Sequence, residues 1–194
     1  MTDLTLPGMP CVALATDVEV VRPRTTERDV LNLLAQRYSV VSQGVSVRYA
    51  YAEHVRSHAG FDARRTADFI AMDLWPMKGL HLHGHEVKVS RSDWLTELRD
   101  PSKAEEFKRY MDRWWLVVSD RSMVKPSELP DGWGLMAPDK HADNARPGVR
   151  THGNLRVIRP APILTPEPMP RTMFAALLRA VSKTAHREAA RCAP

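Results

Sequence analysis

Apolar residues change their spacing several times along this chain, and each change marks an element. Val30, Leu31, Leu34 and Tyr38 recur at helical steps, so this run predicts a helix buried along one face. Thr25 and Thr26 precede it as N-cap candidates. Glu27 and Asp29 fall in its first turn, where the helix dipole favours acids. From Val45 the spacing drops to two: Val45, Val47, Tyr49 and Tyr51 alternate with Ser46, Arg48, Ala50 and Ala52, which predicts a strand. A second strand is expected over residues 67 to 74, a reversal around Pro76-Met77-Lys78-Gly79, and a third strand over residues 80 to 89. Ser92 is the expected N-cap of a helical stretch over residues 93 to 111. Asp100-Pro101 repeats the helix-start signal with proline at the first position, so this stretch breaks or kinks there. Trp114 to Val118 reads as a short buried strand, and two more short strands are expected near residues 133 to 136 and 155 to 158.

The resulting order is α, β, β, β, α, β, then small β elements. A hairpin joins the second and third strands. The helix between the third and fourth implies a parallel crossover. The expected fold is therefore α/β, a mixed central sheet flanked by helices. Residues 1 to 24 are expected to be irregular and residues 25 to 159 to form the domain. Five of the eleven residues from Pro160 to Pro170 are proline, which predicts a stiff linker over residues 160 to 171. Residues 172 to 194 predict a helix with Phe174, Leu177, Leu178 and Val181 on its apolar face. Arg179, Lys183, Arg187 and Arg191 lie largely opposite, where a cationic stripe can track a phosphate backbone.

Composition narrows the class. The 194 residues are 43% hydrophobic and 26% charged, ordinary values for a globular protein. The net charge of +5 favours a polyanionic partner. Cys11 and Cys192 stand near opposite ends and suggest neither a disulfide framework nor a cysteine metal site, so a reducing cytoplasm is expected. No apolar run approaches a membrane span, and the first residues lack the pattern of a signal peptide.

The candidate chemistry lies in the predicted hairpin. Glu86 and Lys88 are two apart on a strand, so their side chains emerge on one side, about 7 Å apart along the chain. Asp68 opens the neighbouring strand and brings a second carboxylate alongside. Two carboxylates and a backbone carbonyl, here that of Val87, are the hard oxygen ligands that Mg²⁺ or Mn²⁺ accepts. A metal held there acidifies water and polarises a phosphodiester. Lys88 is placed to orient that water or to offset charge on phosphoryl oxygens. A bare Glu-x-Lys carries little information. This one sits inside an apolar run, where charge is costly unless paired or used.

The runs Arg64-Arg65-Thr66-Ala67-Asp68, Glu86-Val87-Lys88-Val89-Ser90-Arg91-Ser92-Asp93-Trp94 and Tyr110-Met111-Asp112-Arg113-Trp114-Trp115-Leu116-Val117 resemble the MmcB-type DNA repair proteins of the PD-(D/E)XK nuclease superfamily. The resemblance covers roughly residues 26 to 118. It implies a restriction-endonuclease-like αβββαβ core and a Mg²⁺-dependent deoxyribonuclease acting in repair, recombination or phage DNA metabolism. It further implies Asp68 and Glu86 as metal ligands, Lys88 as the catalytic lysine and Glu27 as the helix acid, with Asp29 and Glu53 competing for that last role. DNA is the expected partner, single-stranded or branched forms included, and a homodimer is among the expectations because many structure-specific nucleases of this class pair up. The chain departs from the family in a longer Asp68 to Glu86 spacing, which leaves Asp73 as an alternative acid. Asp68 is preferred because it shares strand parity with inward-facing Ile70 and Met72.

Other signals admit two readings. Ser90 and Arg91 either contact phosphate or, respectively, end the strand and pair with Asp93. Arg64 and Arg65 precede the predicted site and are expected near DNA. His81, His83 and His85 alternate on the strand face opposite Glu86, as a solvated or partly packed face or a zinc-type chelate. Gly84 is where a bulge would upset that parity. Trp114 and Trp115 are expected to put at least one ring in the core. The competing functional classes are a non-catalytic nucleic-acid-binding module on the same fold and a partner-binding accessory protein that docks through its C-terminal helix.

Overall fold

The computed structural model describes residues 25–39, 41–42, 46–58, 65–100, 102–139 and 155–192. The expected segment before residue 25 lies outside them, as do Arg64 and Pro101. Helix α1 (Glu27–Tyr38) begins with a capping box: the Thr26 hydroxyl accepts from the Asp29 backbone N–H at 3.2 Å, and the Asp29 carboxylate accepts from the Thr26 N–H at 2.8 Å. Val30, Leu31, Leu34 and Tyr38 are buried, as their spacing predicts.

The two-residue strands β1 (Val41–Ser42) and β2 (Ser46–Val47) form a small antiparallel pair. The main sheet then begins with β3 (Tyr49–Arg56). The strand expected from Val45 is thus split: Val47 belongs to the small pair and is 55% exposed, and the main strand runs further, to Arg56. Strand β4 (Thr66–Asp73) is antiparallel to β3. A single 3-10 turn, Pro76–Lys78, ends on Gly79 at φ 88° and reverses the chain into β5 (Leu82–Lys88). That left-handed backbone is one a glycine adopts without strain.

Helix α2 (Arg91–Arg99) is capped by Ser90, not by Ser92. The Ser90 hydroxyl accepts from the Asp93 N–H at 3.1 Å, because the helix starts directly where β5 ends. After the break expected at residues 100 and 101 comes α3 (Ser102–Lys108), then β6 (Arg113–Val118), β7 (Trp133–Pro138), β8 (Leu155–Arg159) and α4 (Arg171–Cys192). The sheet order is β3-β4-β5-β6-β7-β8, with β5, β6 and β7 mutually parallel and the other neighbours antiparallel. This is an α/β fold with a mixed six-stranded sheet, and α1-β3-β4-β5-α2/α3-β6 reproduces the expected αβββαβ order.

The sheet separates two apolar layers. Val30, Leu31, Phe69, Val87, Trp115 and Val117 pack under α1. Ile70, Trp94, Phe107, Trp114, Leu116 and Leu177 pack on the opposite side, beneath α2, α3 and α4. Both tryptophans of the Trp114-Trp115 pair are buried, one in each layer.

Two expectations for the C-terminal part are corrected. The proline-rich segment is not a free linker. The Leu164 N–H donates to the Asp112 carbonyl at 2.8 Å, the Glu167 N–H donates to the Arg109 carbonyl at 2.7 Å, and Ala161 is buried. The segment is a strap laid on the domain. The buried stripe of α4 is Met173, Ala176, Leu177, Ala180 and Thr184, whereas Phe174 and Leu178 are about half exposed. Small residues in that stripe let the helix lie close along the edge strand β3, whose Glu53 N–H donates to the Thr184 hydroxyl at 3.1 Å. The helix thereby covers a strand edge otherwise open to pairing.

Candidate active site

The last paired residues at one end of the β4–β5 ladder are Phe69 and His85. One step further, Asp68 and Glu86 stand opposite each other where the ladder stops. The Asp68 carboxylate accepts the Val87 backbone N–H at 2.7 Å, so a side chain takes the place of a strand carbonyl. Gly84, Glu86 and Lys88 share the sheet side of Trp114 and Leu116. Gly84 lets the Trp114 ring lie directly against the β5 backbone, because a Cβ there would meet that ring at 2.3 Å.

The Lys88 ammonium lies 2.5 Å from a Glu86 carboxylate oxygen and 3.3 Å from Glu97 of α2. All three side chains are at most 16% exposed. Burial, then the neighbouring Asp68 carboxylate, pushes the Glu86 carboxyl up to about 7 against the pull of Lys88. Burial also raises Asp68 above the usual aspartate range, partly opposed by the Val87 N–H and by Lys88. Burial disfavours the charge on Lys88, but the Glu86, Glu97 and Asp68 carboxylates outweigh it and hold the ammonium above the ordinary lysine range. Three carboxylates thus surround one cation. A cavity of about 100 Å³ adjoins them, lined by Arg65, Thr66, Glu86, Glu97 and Lys103 among others.

A second grouping meets at Asp68. Ligand atoms of Glu27, His54 and Asp68 lie within 4.8 Å of one another, which makes these three residues a possible metal-binding triad. Glu27 comes from the first turn of α1. His54 adopts φ 51° within β3, a left-handed conformation that a residue with a side chain adopts at a cost. Across it Ala52 and Val55, three residues apart, both enter the same apolar layer. That three-residue apolar step was the sequence signal for His54. Glu97 left no such signal, because its approach to Lys88 depends on how α2 docks.

The other acids considered for the site are engaged elsewhere. Asp29 serves the α1 capping box. Glu53 is buried and takes Arg28 at 2.7 Å and Arg187 at 2.6 Å on one oxygen. Asp73 pairs with Arg48 at 2.7 Å, accepts the Trp75 N–H at 3.1 Å and has the strand parity opposite to Asp68. Although burial opposes it, the Arg48 contact keeps its carboxyl below the usual range. The structure therefore brings Asp68, not Asp73, to Glu86.

Arg91 pairs with Glu128 and donates to the Met123 carbonyl at 2.6 Å, so its guanidinium turns to Glu128 and not to Asp93. That guanidinium holds the Glu128 carboxyl down to about 2. Arg65 lies 3.6 Å from Glu106 at the rim of the cavity. Arg179 and Lys183 are exposed on α4, and Arg187 belongs to the Glu53 ion pair.

His83 and His85 face away from Glu86 with regular register, so Gly84 introduces no bulge. His85 is fully buried, its Nε2 2.8 Å from the Tyr38 hydroxyl. His83 stacks on Trp115 and accepts the indole N–H at 3.3 Å. Burial, with nearby Arg113 and His81, lowers His83 to about 4, and burial takes His85 well below the usual range. Both are neutral packing groups.

Fold and site together define an α/β protein with a carboxylate–lysine cluster at the open end of a sheet hairpin. No family model matches the chain, and no curated protein matches it. Among solved structures it is similar to the SPO1766 protein of unknown function from Silicibacter pomeroyi, with 19% identity over 73% of this chain and 77% of that one and a TM-score of 0.44. Among the described residues, no helix is long and apolar enough to cross a membrane.

Proposed function

We propose that the protein is a metal-dependent nuclease that hydrolyses DNA phosphodiester bonds, of the PD-(D/E)XK kind, acting in repair, recombination or phage DNA metabolism. The observation that carries the reading is the placement of Asp68 one step past the last rung of the hairpin, opposite Glu86, with Lys88 on the same side of the strand. The donor set fits Mg²⁺ or Mn²⁺: Asp68 and Glu86 with the Val87 carbonyl are hard oxygen ligands, and Glu27 and His54 stand next to Asp68. The bound ion would supply Lewis acidity and an acidified water. The chain's own residues do the rest. Asp68 and Glu86 fix the charge that draws a cation to the ladder's open end. Lys88, once released from Glu86, offsets negative charge on the phosphoryl oxygens and orients the attacking water. Val87 ties Asp68 to the strand and keeps the two carboxylates in register.

The test is cleavage of single-stranded, branched and duplex DNA in Mg²⁺ or Mn²⁺ by the wild type, Glu86→Ala and Lys88→Ala. Cleavage by the wild type and its loss in both variants is expected. Cleavage that survives both substitutions sinks the assignment. One observation favours a second reading, a non-catalytic nucleic-acid-binding module: Lys88 is clasped by two carboxylates rather than free. That reading predicts salt-sensitive DNA binding with no turnover in either metal.

A further inference from the structure

Helix α4 lies along β3, and between them is a cavity of about 210 Å³. Arg56 of β3 and Arg179, Lys183 and Arg187 of α4 line it against one acid, Glu53. That acid is already engaged: it is buried and bound to both Arg28 and Arg187, so it fixes Arg187 in place without neutralising the other cations. Among the described residues Arg56, Arg179 and Lys183 form no ion pair. Arg179 and Lys183 are also four apart on one helix, a spacing at which like charges repel. Such a gathering of cations in a concavity suits an oxyanion.

The cavity adjoins the chemistry. His54 lines it and also belongs to the Glu27–His54–Asp68 cluster. Thr184 borders it and a second cavity of about 330 Å³ along the same β3–α4 seam, where Tyr49, Tyr51 and Val181 supply aromatic and apolar surface. A cationic groove continued by aromatic surface is how single-stranded nucleic acid is held without reading its sequence. A cleft of about 210 Å³ has room for one phosphate, and the aromatic surface beyond it can stack only on unpaired bases.

We propose that the β3–α4 cleft seats a backbone phosphate of single-stranded nucleic acid beside the candidate metal cluster. The placement of substrate relative to Asp68 rests on the nuclease reading above; the binding itself does not. The test uses the full chain in EDTA, so that no cleavage enters the readout. Binding of a fluorescein-labelled single-stranded oligonucleotide is followed by anisotropy across a salt series, for the wild type, Arg179→Ala/Lys183→Ala and Lys78→Ala. Both α4 side chains are exposed, so the double variant is expected to melt with the wild type. It should bind about tenfold more weakly, with the slope of log K against log salt reduced by about 1.4 for two lost phosphate contacts. Lys78→Ala, which removes an exposed cation at the β4–β5 turn, should bind like the wild type. An unchanged affinity and slope in the double variant overturns the proposal. So does a duplex bound as tightly as the single strand, or a glutamate-rich peptide that competes as well as unlabelled oligonucleotide. A wild type that binds through the cleft yet cuts nothing in Mg²⁺ leaves this proposal standing and removes the nuclease reading alone.

Discussion

The two faces of β5 bury titratable groups in opposite ways. On the α1 side, His83 and His85 shed their protons, and Tyr38 and Trp115 give their rings hydrogen-bond partners. An imidazole can become neutral near physiological pH, so this face stays apolar at small cost. On the other side, Glu86 and Lys88 are in contact with Asp68 and Glu97 beside them, and burial and Asp68 push the Glu86 carboxyl up to about 7. The lysine is held protonated by the carboxylates around it, so charge on this face can be relieved only at the carboxylates. The carboxylates outnumber the ammonium, and the face is left short of positive charge. One face is a finished core. The other gathers three carboxylates around one ammonium, an excess of negative charge that a proton or a bound cation can offset, and this difference is the main physical support for the proposed metal.

The sharpest way to break the comparison is Lys88→Ala. It should reduce cleavage by about 10³-fold, the cost typical of losing a donor that stabilises transition-state charge. It should also cost about 3 kcal/mol of stability, because buried carboxylates lose their partner. Single-turnover cleavage and denaturant unfolding measure the two effects separately.

Acid should injure the opposite face. Above pH 6.5 the imidazole of His83 is neutral in both folded and unfolded chains, so it adds no pH dependence. Below 6.5 the unfolded chain takes up a proton that folded His83 refuses until about pH 4. Stability is therefore lost as pH falls through that window, at up to about 1.4 kcal/mol per pH unit for this group. The difference in unfolding free energy between the wild type and His83→Gln, followed from pH 7 to 4, isolates the effect. A pH-independent difference contradicts it.

Gly84→Ala probes the strand between the faces. Its Cβ would overlap the Trp114 ring, so a loss of about 2 kcal/mol is expected from the urea midpoint. The smallest effect belongs to Asp73→Asn. It should cost about 1 kcal/mol through the Arg48 pair and leave cleavage unchanged. Impaired cleavage in a folded Asp73→Asn would return that residue to the site.

Much of this arrangement is legible in the sequence. Period-two spacing put Glu86 and Lys88 opposite His83 and His85, and parity separated Asp68 from Asp73. Local signals also gave the helix break at residues 100 and 101. What they could not give were contacts between distant segments. Ser90 caps α2 because β5 runs straight into the helix. Arg91 finds Glu128 across the fold. The prolines look like a linker until Leu164 and Glu167 are seen hydrogen-bonded to the domain. His54 enters the cluster through a left-handed kink that simple alternation does not encode.

The central claim is that the Asp68–Glu86 end of the hairpin, and not the histidine face, holds the metal. A crystal soaked in Mn²⁺ and measured at the manganese absorption edge tests it directly. The account predicts an anomalous peak between Asp68 and Glu86, absent in Glu86→Ala. A peak on His81 or His83, or none at the hairpin end in crystals of an active protein, would contradict it.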